Sequence, residues 1–125
     1  MTINNHFQAS SPVDIMAIMR AEMRLIVGDS VDDMIGELAP LFISDIPPLI
    51  DEAERMLAAH DANRLKEVAH TLKGSSSSMG LRRFSELCFE LEMLARENDL
   101  AEAPTKIDQI RIEYMAISHA LEGFT

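Results

Sequence analysis

Apolar residues in this chain return every three or four positions, and nowhere do they alternate with polar ones over a useful length. A period near 3.6 is that of an α-helix with one buried face, so strands are not expected. The first stripe, Met16, Met19, Met23 and Ile26, follows Ser11-Pro12-Val13-Asp14, which reads as an N-cap, a first-turn proline and an early acid. This predicts a helix over 12–27, closed by Gly28-Asp29-Ser30. From Val31 a second stripe runs through Met34, Ile35, Leu38, Leu41, Phe42, Leu49, Ala53, Met56 and Leu57, with Asp33 placed to reinforce a cap at Ser30. Pro40 and the pair Pro47-Pro48 fall inside it. Each removes a backbone donor, which predicts a kink near 44–48 or a break there.

Three further stripes follow. Asp61 caps a helix bearing Leu65, Val68, Ala69, Leu72 and Met79, with Gly80 as its left-handed end. Leu81, Phe84, Leu87, Cys88, Leu91, Leu94 and Ala95 make the next, up to Asn98-Asp99. The last begins near Pro104 and carries Ile107, Ile110, Tyr114, Ile117, Leu121 and Phe124, ending at Gly123. Helices apolar on one face only must bury those faces together, so the expected fold is all-α: an antiparallel up-down four-helix bundle with an additional N-terminal helix. A length of 125 residues suits one domain, 1–125, with a frayed tail at 1–10. Aromatics at 5%, no Trp and nine Met fit helices packed through Leu, Ile and Met.

Eleven basic against twenty-one acidic residues leave a formal charge of −10, which repels a phosphate backbone and an anionic membrane. Neither nucleic acid nor membrane is expected as a partner. Charges interrupt every run approaching the roughly 18 apolar residues of a spanning helix. The N-terminus lacks the basic start and apolar stretch of a signal peptide, and the single Cys88 forms no internal disulfide, so a soluble, cytoplasmic chain is expected, by default a monomer.

The chemistry concentrates in AHTLKGSSSSMG, residues 69–80. With Leu65 at zero and about 100° per residue, the apolar stripe lies within roughly 60°, while His70 falls near 140°, Gly74 near 180° and Ser77 near 120°. Lys66 and Lys73 flank that strip near 100° and 80°, and Ser75 and Ser76 turn toward the core side. His70 therefore faces outward. A solvent-facing imidazole keeps a nitrogen lone pair at neutral pH and is a nucleophile able to attack phosphorus. Lys73 neutralises part of a phosphoryl group's charge, Gly74 removes a side chain from the approach to His70, and Ser77 offers a hydrogen bond. Five of the eleven basic residues, Arg64, Lys66, Lys73, Arg82 and Arg83, lie between 64 and 83, predicting a basic rim that steers an acidic partner.

Other readings of these residues fail on spacing. Lys73-Gly74-Ser75 has the wrong order for a phosphate-binding loop, and the serines carry no Gly-x-Ser-x-Gly elbow or acyl-serine companions. His6, His60 and His119 have no partner at metal-ligand spacing, so no metal site is expected. Cys88, on the apolar stripe, reads as a small buried hydrophobe, and the methionines as core, with Met16, Met19 and Met23 alternatively covering a groove or dimer contact.

The string 69–80, with Ala69 before the histidine, Lys73-Gly74 at plus three and plus four and Gly80 at plus ten, resembles the signature of histidine phosphotransfer (HPt) domains. Leu87-Cys88, Leu91-Glu92, Phe42, Asp45 and Pro47 extend the likeness over about 31–97. The resemblance implies a phosphorelay carrier in two-component signalling. His70 would accept a phosphoryl group from a receiver-domain aspartyl phosphate and pass it to another receiver, in hybrid histidine kinases or response regulators. Lys73, with Lys66 and Ser77 nearby, would support the phosphoryl group, Gly74 would leave room for docking, Ser75 meets the family's small residue and Gly80 closes the helix. No cofactor is implied in this chain, because the magnesium ion belongs to the receiver. The chain has no nucleotide-binding pattern, so self-phosphorylation is not expected. The alternative is an interaction module that docks a receiver without being phosphorylated.

Overall fold

The structure is a computed structural model that describes residues 7–125, and among them every regular element is helical. Helix α1, Pro12–Val27, starts where Ser11 Oγ accepts from the Asp14 amide at 3.1 Å, with Pro12 in the first turn. Its buried positions are Ile15, Met19 and Met23, so its methionines serve the core. Ile26, expected on that stripe, is exposed, and Met16 is half-buried. A short 3₁₀ turn, Gly28–Ser30, leads directly into α2, Val31–Ala58. Ser30 makes no side-chain cap, because the turn already places it in near-helical backbone.

Helix α2 is 28 residues long and runs unbroken through Pro40, Pro47 and Pro48, so the break considered from the sequence does not occur. Its buried face, Val31, Ile35, Ala39, Phe42, Ile46, Ile50 and Ala53, steps by three and four throughout. Proline at 47 deprives the Ile43 carbonyl of its helical donor. Tyr114, reaching across from α5, supplies the replacement: its hydroxyl donates to Ile43 O at 3.0 Å. The Tyr114 ring meanwhile packs 6.2 Å from Phe42, which meets Phe84 edge-on at 5.9 Å.

Helices α3 (Ala62–Ser77), α4 (Arg82–Arg96) and α5 (Ala103–Ala120) complete the chain, before a terminal 3₁₀ turn. α3 lies chiefly against α4 and also against α2; α5 closes the ring by touching α4 and α2, and α1 rests on α2 and α5. Three of the reversals use one device. The residues after α2, α3 and α4 that turn left-handed are His60 (φ 55°), Gly80 (φ 70°) and Asn98 (φ 55°). In each, the next residue's amide reaches back five positions: Asp61 N to Met56 O, Leu81 N to Ser76 O and Asp99 N to Leu94 O. At Gly80 the site is also crowded, since a Cβ there would lie 2.8 Å from Glu22 Cβ and 3.2 Å from the Met19 carbonyl on α1.

Of the tail expected at 1–10, residues 1–6 lie outside the described residues, and residues 7–10, without regular structure, make contacts with the helices. Glu113 on α5 is 1% exposed and needs donors; Ser10 N supplies one at 2.9 Å, with Arg83 Nε 3.6 Å away. Arg83 also donates to Gln8 O and lies 4.8 Å from the Phe7 ring centroid. Residues 7–10 are thereby tied to α4 and α5.

Removing the hydroxyl with Tyr114→Phe is expected to cost about 1 kcal/mol in urea unfolding. In a Pro47→Ala background, where the restored amide serves Ile43 O, the same change costs measurably less. Gly80→Ala, with both a left-handed backbone and a clash against α1, destabilises by about 2 kcal/mol or more in the same assay.

Candidate functional site

Halfway along α3 the buried residues Leu65, Val68, Ala69 and Leu72 face inward and His70 faces solvent, its side chain 66% exposed. Beneath the ring lies Glu92 of α4, 4% exposed at its side chain. Its Oε2 is 3.0 Å from His70 Nδ1 and accepts from Arg96 Nη2 at 3.1 Å, while its Oε1 faces Lys73 Nζ at 3.4 Å. Three nitrogen-bearing side chains thus converge on one buried carboxylate.

Burial pushes the Glu92 carboxyl upward, but the hydrogen bond with His70 and the nearby charge of Lys73 outweigh it, holding Glu92 below the usual carboxylate range. An ionised carboxylate only accepts, so His70 Nδ1 is the donor. In the neutral ring the lone pair then sits on Nε2, the nitrogen that is not engaged. One hydrogen bond fixes both the ring's orientation and which nitrogen is nucleophilic.

Lys73 is partly buried, its ammonium between Glu92 and the face of Phe89, 5.1 Å from that ring's centroid. Lys66, one turn before His70, is half-buried and has no ion-pair partner among the described residues. At Gly74 a Cβ would meet nothing within 4 Å, so packing within this chain does not require glycine there. The open surface beside His70 is what its missing side chain leaves. Ser77 Oγ is paired with Ser85 Oγ of α4 at 2.6 Å. Ser76 is buried, its hydroxyl donating to Leu72 O and Lys73 O. Ser75, expected on the core side, is exposed and edges a shallow groove with Leu38, Leu41 and Asp45 of α2. Gly80 lies at the far end of α3, in the cap described above.

The expected basic rim is largely neutralised. Arg64 pairs with Glu52 and Glu67, Arg82 with Glu22, Arg83 with Glu113 and Lys73 with Glu92. Among the described residues no group of three or more His, Cys, Asp or Glu is placed to hold a metal ion, and His6 lies outside them. Cys88 is buried, which pushes its thiol well above the ordinary range and leaves it unreactive.

Sequence reasoning missed Glu92, Arg96 and Phe89 as members of this site. A signal for Glu92 was present: it stands four after Cys88 and three before Ala95, a charged residue on the core face of α4. Such a position requires a partner.

The Hpt domain family model matches residues 37–120, a span that includes α5 and so exceeds the likeness carried by motifs. Histidine-containing phosphotransfer protein 2 of Arabidopsis thaliana is 29% identical over 104 residues, covering 81% of this chain and 67% of that protein. Sensor protein TorS of Escherichia coli (strain K12) is 40% identical over 60 residues, 48% of this chain and 7% of TorS. A third relative, at 24% over 98 residues, 77% of this chain and 65% of its own length, is named Pseudo histidine-containing phosphotransfer protein 2, of Oryza sativa subsp. japonica. No solved structure matches the chain. Among the described residues no helix is long and apolar enough to cross a membrane.

Because the folded pKa of Glu92 lies below the ordinary 4.5, the unfolded chain takes up this proton first on acidification. The stabilisation from ionised Glu92 is complete above that ordinary value and is lost as pH falls through the folded pKa. Urea titrations should show Glu92→Gln less stable than the parent by about 1–3 kcal/mol at pH 7. The gap should narrow as the pH falls below the ordinary value.

Proposed function

Since the chain belongs to the Hpt domain family, we propose that His70 is the residue on which it carries phosphate, with Nε2 as the bonding atom. The chain is a phosphotransfer protein of two-component phosphorelays, a phosphoryl carrier and not a kinase, and its family implies receiver domains as partners. The observation that carries the assignment to His70 is the 3.0 Å contact from Nδ1 to buried Glu92, which leaves Nε2 in solvent with its lone pair.

The transfer follows from that geometry. Nε2 attacks the phosphorus of a receiver's aspartyl phosphate as the bond from phosphorus to the carboxylate oxygen breaks, and the carboxylate departs with the electron pair. The ring becomes a phosphorylated imidazolium whose positive charge lies against Glu92, so the proton on Nδ1 never has to leave. In the return step a second receiver's carboxylate attacks phosphorus, and the electrons of the N–P bond go back to Nε2. Lys73 turns from Glu92 to the phosphoryl oxygens, and Lys66 adds charge from the turn below. Gly74 leaves the receiver's loops room to reach phosphorus. Ser77, held by Ser85, shapes the rim. The magnesium ion of the reaction belongs to the receiver's own site.

The same reading takes α2 to α5 as an antiparallel up-down four-helix bundle, with α1 as the additional N-terminal helix, in one domain over 1–125. Ring-wise packing and left-handed reversals support it. It holds the carrier to be a cytoplasmic monomer that exchanges phosphate with receivers of hybrid kinases and response regulators. A charge of −10 disfavours nucleic acid and anionic membrane as partners.

Incubation with radiolabelled phospho-receivers should move label to the parent chain in an acid-labile, base-stable form, and His70→Gln should receive none. Label on the His70→Gln protein would show that another side chain is the acceptor. Docking without label in either protein would favour the interaction module.

A further inference from the structure

Glu92 has three cationic or potentially cationic neighbours, but only one of them is both permanently charged and free of a role at phosphorus. Lys73 faces Oε1 at 3.4 Å, and this buried oxygen has no hydrogen-bond partner, so the lysine holds Glu92 by charge and not by a formed bond. Its flexible stem and partial exposure let it leave. Once it turns to the phosphoryl group, Oε2 retains His70 Nδ1 at 3.0 Å and Arg96 Nη2 at 3.1 Å.

We propose that Arg96 is a positioning residue for phosphotransfer: acting through Glu92, it keeps His70 in the Nδ1–H form while Lys73 is engaged with phosphate. This rests on the assignment of His70 and Lys73 above. Arg96 stands one turn after Glu92 on α4, the favourable order of acid before base along a helix. Its guanidinium stays charged at any working pH, unlike an imidazole. An exposed arginine on an exposed acid contributes little. Here the acid is 4% exposed, and a buried carboxylate is costly without a cation beside it, so losing both Lys73 and Arg96 favours its protonated form. A protonated Glu92 would donate to Nδ1, moving the ring proton to Nε2 and blocking attack on phosphorus. Arg96 prevents that step without touching the phosphoryl group.

Lys73→Ala mimics the state in which the lysine has left, so the test needs no receiver. Long-range ¹H–¹⁵N spectra of ¹⁵N-histidine-labelled protein at pH 7.5 read the His70 tautomer directly. The Nδ1–H form should persist in Lys73→Ala and in Arg96→Gln, and be lost to a mixture of tautomers when both changes are combined. Arg96→Lys in place of Arg96→Gln should restore it. Retention of the Nδ1–H form in the double variant, with circular dichroism showing it folded, overturns the proposal. In the transfer assay Arg96→Gln should slow phosphorylation by about threefold to tenfold, with Arg96→Lys recovering most of the rate. An unchanged rate in Arg96→Gln beside an active parent overturns the role of Arg96 and leaves His70 in place. An inactive parent instead removes the reading of His70 and with it this one.

Discussion

A single ionised carboxylate inside the helix assembly sets the character of this protein. Glu92 lies beneath an exposed imidazole, and its negative charge decides where the proton on that ring must be. Desolvating a carboxylate costs several kcal/mol, more than any one surface ion pair returns. Two hydrogen-bond donors, His70 and Arg96, and the charge of Lys73, spread over two helices, offset that cost together. The arrangement therefore depends on α3 and α4 meeting in one register, and their contact is the most extensive between any two helices here.

That register is set by local chemistry at some distance from the histidine. Gly80 reverses the chain in a left-handed cap whose bonds return to Ser76 and Ser77, and the absence of a Cβ lets α1 approach the turn. Ser76, buried in the α3 face, folds its hydroxyl onto the preceding turn and leaves a thin helix surface against its neighbours. Ser77 and Ser85 tie the same two helices at their turn end. The run of serines, unfavourable by helix propensity, is thus divided between two neighbour contacts and an exposed edge. On the outer side, Gly74 leaves His70 unshielded. One helix is small on two faces for two different reasons.

The helices and the outward turn of His70 were legible because they depend on residues near in sequence. A stripe of period 3.6 and an interval of three or four residues suffice to place Lys73 and Gly74 beside the histidine. Glu92 was not legible in that way, since it is 22 positions from His70 and its partners become visible only when two helices are packed. The same limit explains α2. Proline's lost donor is a local fact, but the hydroxyl of Tyr114 that replaces it arrives from 71 residues away. Ser75 went astray for a geometric reason: about 80° from the stripe centre, on the side opposite Lys73, it lies at the boundary where neighbouring helices decide exposure. The basic rim failed because a charge count near His70 says nothing of which acids the fold brings to Arg64, Arg82 and Arg83.

Carboxylate, ring and lone pair form one chain of cause, and its last link is an atom that can be identified. After phosphorylation by a receiver, ³¹P and ¹⁵N spectra of ¹⁵N-histidine-labelled protein report which ring nitrogen bears phosphorus. The account predicts a bond from phosphorus to Nε2 of His70, with the proton on Nδ1. Phosphorus found on Nδ1 would contradict it, because that nitrogen could not then be the donor to Glu92.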